Sequence, residues 1–276
     1  MSNGSAEPVV ACPICAGSTT PYCTRRAHGD DWVIRKCRAC GHGFVSNLPT
    51  LDVIAKLNAS ESMDHTLGEF TRDAYERRAD CREFARRITG LSRVRGYALD
   101  VGSGDGSYSY HLWRHGFMPV MIDLDPRAAR ATELMPGSTF RVSTFEDLPD
   151  AGPFGAIVMS QVLEHALGPV AWLRRAREIL SPGGVLAIAV PNFGGVYRLR
   201  GAHDPFLIPP VHLNFFTARS MRLALESGGL RVARLDTQSR VPAGGSVARS
   251  AWNVASRVLD VTSWGIILRA FAINQS

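Results

Sequence analysis

One short segment of this chain limits its fold more than any other. Tyr97-Ala98-Leu99-Asp100-Val101 reads as an apolar strand, Gly102-Ser103-Gly104-Asp105-Gly106 as a tight turn, and Tyr108 to His115 as an amphipathic helix. Glycines at three alternate positions let the backbone turn sharply and approach a ligand without Cβ clashes. The helix that follows presents unpaired N–H groups to an anionic group. A glycine turn by itself is a weak signal, because such turns also join elements that hold no ligand. Here the next apolar run, Pro119 to Asp123, ends in a carboxylate 21 residues beyond Gly102. That is close to the spacing at which an acidic side chain receives ribose hydroxyls.

The rhythm continues downstream. Helix is expected from Pro126 to Leu134, strand at Thr139–Val142 and Phe154–Ser160, and helix from about Gly168 to Leu180. Ser181-Pro182-Gly183-Gly184 reads as a stop before a buried strand at Val185–Val190. A helix at Thr217–Ser227, a strand at Leu230–Leu235, a helix at Val247–Val261 and a last strand within Gly265–Ile273 complete the pattern. Strands and helices alternating in this way predict a parallel sheet covered on both faces. A hydrophobic content of 45% is enough for a full core and excludes a disordered chain. No apolar run approaches the roughly 18 residues of a membrane span. Met1 to Pro8 lacks the pattern of a signal peptide, so the expected location is the cytoplasm. The net charge of +6 is carried almost wholly by arginine. Its densest run, Arg77 to Arg95, is interleaved with Glu76, Asp80 and Glu83, as on a solvated helix face.

Four of the six cysteines form two pairs, Cys12-Pro13-Ile14-Cys15 and Cys37-Arg38-Ala39-Cys40. Each short turn aims two thiolates at one tetrahedral ion, so Cys12, Cys15, Cys37 and Cys40 are the expected ligands of a structural Zn2+. Gly17 and Gly41 suit the tight turns of such knuckles. Cys23 and His42 are spare candidates nearby, and Cys81 reads as a small core residue.

At this point the chain resembles the class I S-adenosylmethionine-dependent methyltransferases. Asp100, Gly102, Gly104 and Gly106 fit that family's first motif. Val162-Leu163-Glu164-His165, Leu180-Ser181-Pro182-Gly183-Gly184 and Pro191-Asn192 fit later ones. The cysteine module, together with His212-Leu213-Asn214-Phe215-Phe216-Thr217, resembles a subgroup acting on sugars and natural-product intermediates. The resemblance implies a Rossmann-like α/β fold: a doubly wound, mostly parallel seven-stranded sheet preceded by a small zinc ribbon. It implies a ribbon at residues 1–48, a helical connector at 49–95 and the cofactor-binding domain at 96–276. It places S-adenosylmethionine against Asp100, Gly102, Ser103, Gly104 and Gly106, against Asp123 and Leu124, and against Thr144, Phe145, Gln161 and Tyr75. Asp125 competes with Asp123 for the ribose. His165 is the first candidate base and His212 the second, with Glu164 beside them. The expected reaction is methyl transfer to a small-molecule acceptor, a hydroxyl first, with carbon or nitrogen open. The competing reading is an RNA methyltransferase that uses the ribbon to bind RNA. Against it, Asp30 and Asp31 offset the ribbon's basic residues, and stacking aromatics are few.

Overall fold

The computed structural model describes residues 8–50, 53–54, 68–149, 152–239, 256 and 258–276. Most of the expected helix Val247–Val261, and residues 51–52 and 55–67 of the connector, lie outside the described residues.

Three strands open the chain: β1 (Thr19–Ala27), β2 (Asp30–Cys37) and β3 (Gly43–Val45). His28 and Gly29 both take positive φ between β1 and β2, as a two-residue hairpin turn requires. The connector supplies α1 (Arg72–Arg77) and α2 (Ala79–Leu91). The main sheet then begins with β4 (Gly96–Val101), followed by α3 (Ser107–Arg114), β5 (Phe117–Asp123) and β6 (Thr139–Val142). β7 (Phe154–Ser160), α4 (Pro169–Ile179) and β8 (Leu180–Pro191) come next. The chain finishes with β9 (Asn214–Phe215), α5 (Ala218–Ser227), β10 (Arg231–Gln238) and β11 (Ile267–Ile273).

Seven strands form the main sheet in the order β10-β11-β8-β7-β4-β5-β6, with β11 the antiparallel member. Both faces are buried, and the side-chain period of two shows which residues serve each face. Leu99, Ile157 and Ile188 pack toward Leu173 of α4 and Leu225 of α5. Their neighbours Ala98, Val158 and Ala189 pack toward Phe84 of α2 and Leu112 of α3. The chain winds outward from β4 to β5 and β6, then returns to β7 and β8 on the other side. That reversal opens a crevice at the carboxyl ends of β4 and β7, the usual ligand position in such sheets.

Two departures from expectation have plain causes. Pro126–Leu134 forms 3-10 turns rather than an α-helix. Its buried residues, Ala128 and Ala131, are three apart, which matches the three-residue turn. The ribbon, meanwhile, is not separate from the main domain. β3 pairs with β9, so the ribbon sheet has the order β1-β2-β3-β9. Cys12, Ile14, Cys37 and Cys40 share one apolar cluster with the main sheet and with α4 and α5.

Candidate functional site

The four knuckle cysteines converge. Cys12 Sγ lies 3.6 Å from Cys40 Sγ, Cys15 Sγ lies 3.5 Å from Cys37 Sγ, and all four sulfurs are within 4.8 Å of one another. Four thiolates on one Zn2+ at about 2.3 Å stand about 3.8 Å apart, so the set fits a tetrahedral ion. None of the six cysteines is in a disulfide. Burial pushes the Cys12 thiol up to about 11. At Cys37 burial acts the same way, but the Cys40 and Ala39 amides and the neighbouring thiols outweigh it and bring it to about 7. The left-handed residue of the second knuckle is Gly41, as expected, whereas in the first it is Ala16. Gly17 is needed for closeness instead: a Cβ there would stand 3.2 Å from Cys15 Sγ and 3.3 Å from Cys37 Sγ. Cys23 is outside this cluster and packs beside Trp32 and Ile34. Cys81 is fully buried in the core.

The glycine loop leaves β4 with positive φ at Gly102, Gly104 and Gly106. Each glycine has its own reason. A Cβ on Gly106 would collide with Ala131 and one on Gly102 with Val162, whereas one on Gly104 would meet only open space. Asp100 is buried beneath the loop and accepts from Ser109 Oγ at 2.7 Å, with burial pushing its carboxyl up to about 7. It braces β4 against α3. Asp123, at the end of β5, accepts from the Gly104 amide at 2.7 Å and from the Asp125 amide at 2.9 Å. Asp125 is committed elsewhere, capping the 3-10 turns and chelating Arg127.

The remaining cofactor candidates surround this loop unequally. Leu124 is exposed at the sheet edge. Gln161 holds a left-handed backbone at the end of β7, a strained conformation for a non-glycine residue. Thr144 is engaged with Asp147 and Phe145 is buried against Trp172. Tyr75 is buried and donates its hydroxyl to the Asp105 carbonyl, holding the loop from the connector side. Ser103 was expected here, whereas Ser107 and Arg78 were not. Ser103 Oγ and Ser107 Oγ are buried without a hydrogen-bond partner, and Ser107 lines a cavity of about 260 Å3 with Tyr75, Arg78 and Asp105. Orphaned hydroxyls around an open glycine backbone suit a polar ligand such as the amino-acid end of S-adenosylmethionine. In the sequence Arg78 was indistinguishable from the arginines around it.

Beyond β7 the chain makes a 3-10 turn, Leu163–His165. Glu164, His165 and His212 each bring a ligating atom within 4.8 Å of the others, and the two imidazoles meet edge-on at 5.0 Å. His165 Nδ1 lies 2.9 Å from the Val211 carbonyl and His212 Nδ1 lies 2.9 Å from the Phe206 carbonyl. A carbonyl only accepts, so each Nδ1 carries the proton and each Nε2 the lone pair. Burial, reinforced by His165, lowers the His212 pKa to about 4. Glu164 is 1% exposed, and its carboxylate has no hydrogen-bond partner outside its own residue. Burial pushes it up to about 8. Glu164, His165 and His212 thus cluster at the carboxyl edge, a place whose chemistry can receive a proton or a cation. A second cavity, of about 490 Å3, lies behind Val211 and is walled by Arg25, Arg26 and His28 from the ribbon and by His203 and Asp204.

Comparison with known proteins agrees with this geometry. Residues 74–235 match a family described as a methyltransferase domain. The ubiquinone biosynthesis O-methyltransferase of Parvibaculum lavamentivorans is 30% identical over 192 residues, which cover 62% of this chain and 71% of that protein. The Caulobacter vibrioides protein of the same name is 32% identical over 142 residues, 44% of this chain, and the match spans only 56% of its length. Among solved structures, the Burkholderia thailandensis 1,6-didemethyltoxoflavin-N1-methyltransferase has a TM-score of 0.57 at 15% identity. That match covers 92% of this chain and 99% of that one. An S-adenosylmethionine-dependent methyltransferase from Mesorhizobium loti has a TM-score of 0.53 at 18% identity, covering 72% and 99%. With a matching domain over more than half its length and the same seven-stranded sheet, the chain belongs to the class I S-adenosylmethionine-dependent methyltransferases.

Proposed function

We propose that this protein transfers the methyl group of S-adenosylmethionine to a hydroxyl of a small-molecule acceptor in sugar or natural-product metabolism. The O-methyltransferase names of its relatives support a hydroxyl. The burial of the ribbon's knuckles against the main sheet supports a small acceptor over RNA. In this reading Gly102, Ser103, Gly104, Gly106, Tyr75 and Gln161 surround the methionine end of the cofactor. Asp123 takes the ribose, Leu124, Thr144 and Phe145 border the adenine, and Asp100 holds the loop from below. Cys12, Cys15, Cys37 and Cys40 hold a structural zinc ion. The ribbon, connector and cofactor domain are assigned to 1–48, 49–95 and 96–276.

The bound sulfonium supplies an already activated methyl group. The work left to the chain is to align the acceptor oxygen behind that carbon and to remove its proton. His165 is the first candidate for the second task and His212 the alternative. The observation that supports this assignment is the Nδ1 contact of His165 to the Val211 carbonyl, which makes Nε2 the nitrogen able to take up a proton. His212, with its pKa lowered to about 4, is the poorer proton acceptor at neutral pH. In this reading His165 would take the proton of the acceptor hydroxyl as the bound cofactor gave up its methyl group.

The test is methyl transfer from labelled S-adenosylmethionine to a panel of hydroxylated acceptors. His165→Ala should lower the rate by roughly 100-fold or more, the scale of general-base catalysis, with cofactor affinity preserved. Equal rates in wild type, His165→Ala and the His165→Ala/His212→Ala double variant would remove histidine from the mechanism.

A further inference from the structure

His42 stands two residues past the last knuckle cysteine, yet it serves the opposite end of the ribbon's contact. Its ring is 0% exposed, packed between Phe44 and Phe216. Nε2 lies 3.3 Å from Asn214 Oδ1, and Asn214 Nδ2 lies 2.6 Å from the Ala166 carbonyl. Ala166 closes the turn that carries Glu164 and His165. The direction of this relay is fixed by chemistry. The Ala166 carbonyl can only accept, so the Asn214 amide nitrogen faces it and the amide oxygen faces His42, whose Nε2 must donate. An apolar ring would fill the space between the two phenylalanines at least as well. Burying an imidazole there is costly unless its hydrogen bond is used.

The rest of the turn leans on the same support. The Leu213 amide donates to the Glu164 carbonyl at 2.8 Å, and the Val45 amide donates to the Leu213 carbonyl at 3.0 Å. Asn214 itself pairs with Phe44 across β9 and β3. The turn bearing His165 is therefore suspended from the ribbon as much as from β7.

We propose that His42 is a positioning residue for methyl transfer: through Asn214 and the Ala166 carbonyl it fixes the turn that aims His165 at the acceptor. The proposal rests on His165 as the base, and it makes the ribbon an arm of the catalytic site. A displacement of about 1 Å in such a group costs rates on the order of 100-fold.

The experiment uses full-length, zinc-loaded protein with S-adenosylhomocysteine or S-adenosylmethionine. His42→Phe fills the space without a donor, and His42→Gln restores an amide N–H near the position of Nε2. His42→Phe should keep its zinc and its affinity for S-adenosylhomocysteine, while kcat falls by roughly 10- to 100-fold. His42→Gln should recover most of that loss. Nitrogen-15 spectra of His165 supply a readout independent of any acceptor. The Nδ1–H tautomer should dominate in wild type and His42→Gln, and both tautomers should appear in His42→Phe. Should His42→Phe fail to fold, Asn214→Asp, which removes the donor to Ala166, must show the same loss of kcat and the same mixed tautomers. Native kcat with an unmixed tautomer in a folded His42→Phe or Asn214→Asp protein would overturn the proposal. So would a His42→Gln protein as impaired as His42→Phe. If wild type methylates no hydroxylated acceptor, the functional reading fails on its own, and the spectra still decide the role of His42.

Discussion

Asp123 uses each carboxylate oxygen once, on the amides of Gly104 and Asp125, which leaves each oxygen a second lone pair. A ribose diol can therefore bind without displacing the bonds that hold the glycine loop. Asp123→Ala should weaken S-adenosylmethionine binding by about 1–3 kcal/mol in a calorimetric titration, the cost of leaving buried polar partners unpaired. Unchanged affinity would undo the assignment, since Asp125 is bound to Arg127 and is not placed to substitute. Glu164 leads to a prediction of a different kind. Its folded-state pKa of about 8 lies above the ordinary 4.5, so between those values the folded protein binds more protons than the unfolded chain. Stability contributed at low pH is then lost as pH rises toward about 8. Glu164→Gln removes that slope. Its stability relative to wild type should rise between about pH 5 and pH 8 in denaturant titrations, and a difference independent of pH would contradict the buried, unpaired carboxylate. His212 titrates in the opposite sense, losing stability as pH falls from 6.5 toward 4, but it is common to both proteins and cancels.

Among the elements, the ribbon shows what sequence reading reached and what it missed. The knuckles were legible because two Cys-x-x-Cys pairs leave few alternatives, and the structure gathers their sulfurs as the spacing implies. Removing a ligand from a four-thiolate site opens it. Cys12→Ser should therefore lose zinc and lower the melting temperature, whereas Cys23→Ser should retain the full metal content in elemental analysis. The reverse result would exchange the ligand set. β1 was not legible, because Thr19–Ala27 carries Pro21 and a charged end and lacks a clean alternation of apolar residues. β9 was hidden for another reason. Two residues cannot establish a period, and Asn214 and Phe215 become a strand only because β3 is there to pair with them. Helix α5 lay between these cases. Its span was expected from Thr217 to Ser227, but the capping box between Thr217 and Ser220 and the bond from the Thr217 hydroxyl to the Cys40 carbonyl are contacts that only the folded chain reveals.

At the scale of the molecule, the glycine loop, the acidic end of β5 and the alternating strands pointed to the mostly parallel sheet that is observed. Such features are local in sequence, so a single chain suffices to read them. The second half of the candidate site was less accessible. His165 and His212 are 47 positions apart in the chain, and what joins them is a loop whose carbonyls at Phe206 and Val211 orient both rings. Only their placement at ends of strands hinted at a meeting. The pairing of β3 with β9 also sets a rule for anyone recombining this protein with its relatives. The usual cut, between the ribbon and the cofactor domain, would divide a single sheet and separate His42 from Asn214. A chimera that exchanges the ribbon must carry residues 206–217 along with it, so the inherited unit is a discontinuous pair of segments rather than an N-terminal cassette.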